Sequence, residues 1–220
     1  PHIQHLKVET AENALFLDAV TQRNLELTQN LKGGTEYSLL ALLDHCVTPM
    51  GTRLLRRWLV RPLREQAVLV ARHQMLEQLW ITQSGPQLQA MIHNMGDLER
   101  VVSRIALKNA RPRDLVNLRR ALVEIPHLQQ AVARLLASPA LAMADTSDLT
   151  RLVQLIKPMP ELAVLLQQAI VDEPPVVLRD GGVIRDEYQA ELDELRQLSV
   201  NADAFLLDLE SRERIATGIA

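Results

Sequence analysis

Residues 96–115, GDLERVVSRIALKNARPRDL, decide the fold class of this 220-residue chain. Their apolar residues follow the i, i+3, i+4, i+7 spacing that is typical of one face of an amphipathic α-helix. These residues are Leu98, Val101, Val102 and Ile105. We expect the Arg111-Pro112 pair to end this helix and to begin a second one, because a helix tolerates proline in its first turn. By the same rule, Pro126 is expected to interrupt the second helix.

The composition of the whole chain also favours helices. Leucine occurs 40 times and alanine 23 times, whereas glycine occurs 8 times and the aromatic types together 6 times. Leucine and alanine are strong helix formers, whereas strands favour aromatic and β-branched residues. With 47% hydrophobic residues, the chain is too apolar to remain disordered. A compact chain of this mass would expose about 10,000 Å², so we expect a substantial core.

Start and stop signals predict further helices on both sides of residues 96–115. Thr48 is expected to cap a helix that has Pro49 at its first position and ends near Arg61. On that helix we expect Trp58 to be buried, because it lies on an apolar face. The face consists of Met50, Leu54, Leu55, Trp58 and Leu59. Other predicted helices are Ser38–Cys46, Gln66–Ile81, Ser147–Ile156 and Glu161–Val171, with a break at Ser84-Gly85-Pro86.

Two small β elements are expected beside the helices. Near the N-terminus, extended runs at Ile3–Val8 and Ala14–Leu17 flank a polar loop. Near residues 176–184, the Asp180-Gly181 pair lies between β-branched runs, which is typical of a β-hairpin. From Asp186 to about Ile215, a heptad-like leucine stripe predicts one long helix. The predicted fold class is therefore all-α, with a small N-terminal β element and a short hairpin.

Signatures of catalysis and ligand binding are absent from the sequence. It contains no G-x-x-x-x-G-K-[ST] loop, no G-x-G-x-x-G turn and no H-E-x-x-H motif. Cys46 is the single cysteine, which excludes a disulfide framework and a cysteine-based zinc site. It also indicates a reducing, cytoplasmic compartment. His2 and His5 have a spacing that can hold a metal, but an isolated pair is more typical of a solvated surface. We therefore expect no catalytic, cofactor-binding or metal-binding residue and no enzyme activity of its own.

The charges are segregated along the chain. Residues 53–120 contain 13 Lys and Arg against 5 Asp and Glu, a local net charge of +8. Residues 186–213 contain 9 acidic residues against 2 arginines, a local net charge of −7. The candidate contact residues of the basic block are Arg53, Arg56, Arg57, Arg104, Lys108, Arg111 and Arg113. They suit either phosphates or the carboxylates of neighbouring domains or of the acidic final helix. The second interpretation is favoured, because the sequence has no motif for direct reading of bases or phosphates and few of the aromatic platforms that single-stranded binding usually needs.

Four segments, in this order, resemble the central helical domain of MutS, the DNA mismatch repair family. They are RNLELTQNLKGG (residues 23–34), TPMGTRLLRRWLVRPL (48–63), GDLER through ARPRDL (96–115), and RDGGVI (179–184) with the following Tyr188, Glu191, Leu192 and Asp193. Residues 136–160 contribute nothing to the resemblance. The second segment is the most specific match.

The resemblance implies a core-and-lever domain in a longer protein, which agrees with a chain that begins at Pro1 rather than at a methionine. It divides the chain into three parts. Residues 1–34 would be the end of a connector and a lead-in segment with short strands, and residues 35–175 would be a helical core. Residues 176–220 would be a hairpin and the first leg of the lever helix, ending before the clamp domain. Its partners would be the other domains of the parent chain, mismatched duplex DNA through the parent, and a second copy in a parent homodimer.

The resemblance also limits what this part of the protein would do. In the family, ATP and Mg²⁺ belong to a separate ATPase domain, so the parent would be a DNA-dependent ATPase while this chain holds no cofactor. This chain would couple that ATPase to the DNA clamp. No apolar run reaches the roughly 18 residues that a membrane span needs, so no membrane partner is expected. Two alternatives remain: a basic face that binds duplex DNA by itself, and an unrelated helical adaptor between proteins.

Overall fold

The computed structural model describes residues 14–218. Helices dominate this part of the chain, so the predicted helical class is confirmed. They are α1 (Ala19–Asn24), α2 (Leu39–Leu43), α3 (Pro49–Val60), α4 (Gln66–Ile81), α5 (Gly85–Met95), α6 (Leu98–Ala106), α7 (Pro112–Leu136), α8 (Ser147–Leu155), α9 (Pro160–Ala169), α10 (Ala190–Val200) and α11 (Ala202–Thr217). Short 3₁₀ turns lie at Pro139–Leu141 and Leu178–Asp180.

The 25-residue helix α7 forms the centre of the fold. It packs against α5, α6, α8 and α9. Its buried aliphatic residues recur every three or four positions, so that they share the side that faces the core. They are Val116, Ala121, Leu122, Ile125, Leu128, Ala131, Val132 and Leu135. Leu88 of α5, Leu149 of α8 and Leu166 of α9 belong to the same cluster.

The expected interruption at Pro126 is wrong, because α7 continues through this residue. Proline removes one backbone hydrogen bond and normally disfavours a helix interior by about 3 kcal/mol. Here Pro126 lies on the exposed side of α7, whereas Ile125 and Leu128 beside it are buried. Packing of the buried side therefore holds the helix together across the proline.

The other start signals near residues 48–112 are confirmed, but the expected end of α6 at Arg111-Pro112 is wrong, because α6 ends at Ala106 and the chain turns into a left-handed conformation at Lys108. The Thr48 hydroxyl accepts a hydrogen bond from the Gly51 amide at 3.3 Å, and α3 ends with Arg61 as its C-cap. Helix α4 spans the predicted residues, and α5 begins at Gly85 after the predicted break. Helices α3 and α5 carry a proline in the first turn, where it removes a free amide, whereas α4 begins without a side-chain cap or a proline.

The two expected β elements are wrong for the described residues. At the predicted hairpin, Leu178–Asp180 forms a 3₁₀ turn, and the contacts are an isolated antiparallel bridge between Ile170 and Ile184. Near the N-terminus, Ala14 bridges only to Leu63, while the expected run at Ile3–Val8 lies outside the described residues. The Val183 carbonyl accepts a hydrogen bond from the Val171 amide at 3.1 Å. Val183 therefore pairs with the segment that follows α9, not with residues 176–178 across a turn.

The expected continuous C-terminal helix is also wrong, because Asn201 separates α10 from α11. Asparagine has a low helix propensity, since its side chain competes for backbone hydrogen bonds. The described side chains of α11 are all exposed. Helical continuity in proteins usually depends on tertiary packing. The leucine pattern predicted the helical periodicity of α10 and α11 but not the break between them.

The domain exposes far more surface than a compact chain of its size. Its accessible area is 16,870 Å², against the roughly 10,000 Å² that size scaling predicts. Several large apolar side chains contribute, including Trp58 at 39% exposure and Trp80 at 83%. The expected burial of Trp58 is therefore wrong. The apolar face of α3 was recognised correctly as a pattern, but within residues 14–218 Trp58 stays 39% exposed although Arg72 of α4 lies against its ring.

Candidate functional site

Arg53 joins α3 to the start of α6. Its guanidinium forms a bidentate pair with Asp97, at 2.9 Å from Nη1 and 2.6 Å from Nη2, and its Nε lies 2.9 Å from Glu99. This contact lowers the pKa of Asp97 and raises that of Arg53. Asp97 also caps α6, since its carboxylate accepts a hydrogen bond from the Arg100 backbone amide at 3.3 Å. Arg53 is thus a link between two helices of the domain.

Arg104 joins α6 to the start of α7 in a similar way. Its Nη1 donates to both oxygens of Asp114, at 2.8 and 2.9 Å. The same carboxylate accepts the Arg111 backbone amide at 2.9 Å, which caps α7. Burial alone would raise the pKa of Asp114, but these hydrogen bonds outweigh it and the pKa is lowered. Arg104 therefore also serves an internal contact.

The five other predicted cations differ from these two. Arg56 and Arg57 on α3, and Lys108, Arg111 and Arg113 around the start of α7, are exposed. Within residues 14–218, none of their side chains forms an ion pair or a side-chain hydrogen bond. The seven predicted contact residues thus divide into two internal links and five available charges, rather than forming one patch.

Sequence reasoning missed a second set of arginines, which links α7 to the segment before α10. Arg119 is 8% exposed. Its Nη1 donates to the Ile170 carbonyl at 2.8 Å, and its Nη2 donates to Asp172 at 2.7 Å. A charged side chain is buried only when it has partners. Arg119 ties the centre of the core to the chain that follows α9.

Arg185 reaches the same two acceptors from the opposite direction in the chain. Its Nε donates to the Ile170 carbonyl at 2.9 Å, and a terminal nitrogen lies 2.8 Å from Asp172. Its own backbone amide donates to the Ala169 carbonyl at 2.8 Å. The Arg185 and Arg119 contacts together lower the pKa of Asp172. One carboxylate and one carbonyl are thus shared by two guanidinium groups.

Arg196 extends these contacts into α10. Its Nη2 donates to the Ile184 carbonyl at 2.8 Å, and its Nη1 donates to Asp186 at 2.8 Å. Ile184 forms the bridge to Ile170. We call this set the α7–α10 junction. It consists of Arg119, Ile170, Asp172, Ile184, Arg185 and Arg196.

One signal in the sequence could have found Arg119. It lies three residues after Val116 and three before Leu122, within the apolar period of α7. A cation at such a position predicts a buried, hydrogen-bonded group. Its partner Asp172 could not be found in this way, because 53 residues separate the two in the chain.

Other site chemistry is limited in the described part of the chain. Across residues 14–218, no three His, Cys, Asp or Glu side chains gather as a metal site would require. None of the helices described there combines the length and the apolarity needed to cross a membrane. The polar groups that are brought together are arginines and their acceptors, and these connect helices.

These features define an extended α-helical domain whose buried and paired arginines join one helix to the next. A comparison with protein families identifies it further: the family model described as MutS domain III matches residues 20–216. The chain belongs to the MutS family, of which it provides domain III. The resemblance of its four sequence segments to this family is thereby confirmed.

Proposed function

We propose that this domain is a non-catalytic module that couples the ATPase of a mismatch repair protein to its DNA clamp. The α7–α10 junction is the observation that supports this proposal. It connects the most buried helix of the core to α10, through contacts at Ile170, Asp172, Ile184 and Asp186. From there α11 extends with its described side chains exposed.

The physical requirement for coupling is that movement at one end changes the free energy at the other. Helix α7 is linked to α10 indirectly, because Arg119 binds Ile170, Ile170 bridges to Ile184, and Ile184 accepts from Arg196. A shift of α7 must therefore either move this segment and α10 with it or break these contacts. Coupling also requires two packed arrangements that different ligand states favour. The junction is suited to differ between two such arrangements. Asp172 is shared by Arg119 and Arg185, so it could keep one of these partners when it loses the other.

The remaining parts of the proposal follow from family membership. ATP, Mg²⁺, mismatched duplex DNA and a second subunit would be bound by other domains of a MutS protein. The five available cations, Arg56, Arg57, Lys108, Arg111 and Arg113, would contact carboxylates of those domains. Arginine suits such contacts, because its planar group pairs with a carboxylate through two hydrogen bonds.

The test replaces Arg119 in the full-length protein that carries this domain. We expect Arg119→Met to preserve ATP turnover without DNA and to reduce its stimulation by mismatched duplex about tenfold, within the usual range of coupling energies. Arg120→Met is the matched control, because Arg120 is exposed on the same helix. Arg185→Gln provides a second variant that leaves the buried Arg119 in place.

Two results would contradict the proposal. One is stimulation by mismatched DNA that is unchanged in a folded Arg119→Met protein and in Arg185→Gln. The other is ATP hydrolysis by the purified 220-residue chain above the level of contaminants, which would mean that this domain carries catalytic groups itself.

A further inference from the structure

Helix α3 exposes a face in which charged and apolar side chains lie side by side. Arg57 follows Arg53 by one turn, and Trp58 follows Leu54 by one turn, so the two pairs form adjacent rows on the helix. Leu54 is 44% exposed and Trp58 is 39% exposed. We call these four residues the α3 face. Among the helices described, α3 packs mainly against the short helix α2.

Neighbouring helices hold the side chains of the α3 face in place. The guanidinium of Arg72, on α4, lies 3.8 Å from the centre of the Trp58 ring. Such a cation–π contact fixes the plane of the indole. At the other edge, Asp97 and Glu99 hold Arg53. Two of the four side chains of the face, Arg53 and Trp58, are therefore held by contacts before any partner arrives, which reduces the entropy that they lose on binding.

The charge around the α3 face is positive. Arg56, Arg57, Arg72 and Arg100 have no carboxylate within ion-pair distance among residues 14–218. The carboxylates of Asp97 and Glu99 are already occupied by Arg53. A surface that is complementary to this face would therefore carry carboxylates around a small apolar centre.

We propose that the α3 face docks onto an acidic surface of another domain of the same polypeptide. This inference rests on the proposed role of the chain as one domain of a MutS protein. A protein surface fits better than duplex DNA, because the sugar–phosphate backbone would leave Leu54 and Trp58 without apolar contacts. Tryptophan and arginine are also the residue types that contribute most to binding at protein interfaces.

Photo-crosslinking in the full-length protein tests this inference. With p-benzoyl-phenylalanine in place of Leu54, we expect crosslinks to one segment outside residues 1–220, in which Asp or Glu lie beside apolar residues. Adding Arg57→Glu should lower the yield about tenfold, because like charges then face each other. Arg120→Glu is the matched charge control, since Arg120 is an exposed arginine that lies on α7 rather than on α3. The same photoreactive residue at Val164, exposed on α9, controls for non-specific capture.

Three outcomes would overturn the inference: crosslinks confined to residues 1–220, crosslinks to added duplex DNA, or equal losses with Arg57→Glu and Arg120→Glu. None of them affects the proposed coupling role, because the variants on α3 leave Arg119 and its partners intact. Conversely, normal crosslinking together with unchanged DNA stimulation in Arg119→Met would remove the coupling role and keep the docking surface.

Discussion

Arg53 and Arg119 perform the same geometric task in different surroundings. Each guanidinium joins two segments that are far apart in the chain, and each has a carboxylate partner. The Arg53 side chain is 46% exposed, whereas the Arg119 side chain is 9% exposed. Water and salt screen the first contact, but the second replaces hydration that the buried group has lost. Similar distances therefore correspond to different contributions to stability.

The largest effect is expected for Arg119→Met, which keeps an unbranched apolar stem and removes the guanidinium donors. We expect a loss of about 2 kcal/mol in the free energy of unfolding, as for charged hydrogen bonds in general. Urea unfolding measures it. Arg120→Met should change stability by less than about 0.5 kcal/mol, as for ordinary surface sites. Equal effects of the two variants would show that burial of Arg119 contributes nothing.

A double-mutant cycle sharpens this prediction. Arg119 and Arg185 both donate to the Ile170 carbonyl, and Ile170 is 5% exposed. With Arg119→Met and Arg185→Met, either single variant leaves this oxygen one guanidinium donor, whereas the double variant leaves it none. The double variant should therefore lose about 1 kcal/mol more unfolding free energy than the sum of the losses in the two single variants. Simple additivity would contradict the shared acceptor.

An intermediate effect is expected at Asp114, which is partly buried between Arg104 and the start of α7. Asp114→Asn should cost about 1 kcal/mol at neutral pH, because the amide replaces only one acceptor oxygen. The pKa of Asp114 is lowered in the folded state. The ionised carboxylate of Asp114 therefore stabilises the folded state at pH values above its ordinary pKa of 3.8. This stabilisation is lost as the pH falls through the lower pKa that Asp114 has in the folded state.

Urea unfolding of both proteins from pH 7 to pH 2 measures this dependence. The difference in stability between the wild type and Asp114→Asn should be constant down to about pH 5 and should shrink below about pH 4. A difference that stays constant through the acidic range would mean that the carboxylate charge of Asp114 does not stabilise the fold.

The sequence predicts the local elements of this domain better than its long-range contacts. Helix α4 has its predicted limits, and Thr48 caps α3 as expected, because caps and prolines act within one turn. The error at Pro126 arose because tertiary packing overrode a local rule. The hairpin error had a related cause. Ile184 pairs with Ile170, and the turn residues Asp180-Gly181 carry no information about a contact outside the turn.

The same division applies to the candidate site. The predicted list contained Arg53 and Arg104, but their partners Asp97 and Asp114 became known only from the fold. Arg119 was omitted, because the list was drawn from local charge rather than from burial. Periodicity can place a cation on a buried face, yet it cannot identify an acceptor 53 residues away. Charge along the chain alone therefore does not separate the cations with internal partners, Arg53 and Arg104, from the exposed ones.

The smallest effect is expected for Arg53→Gln. The Asp97 side chain is 18% exposed, but Arg53 itself is 46% exposed and its second partner Glu99 is 62% exposed, so solvent screening removes much of the gain from the ion pairs. We expect a lower urea midpoint than in the wild type, by less than for Asp114→Asn, and no difference in 1 M NaCl. Arg56→Gln is the matched control, because Arg56 lies on the same helix without an ion-pair partner among residues 14–218. An effect of Arg53→Gln as large as that of Arg119→Met, or one that persists in 1 M NaCl, would mean that the Arg53 contact is shielded from solvent. The distinction between the two arginines would then rest on something other than burial.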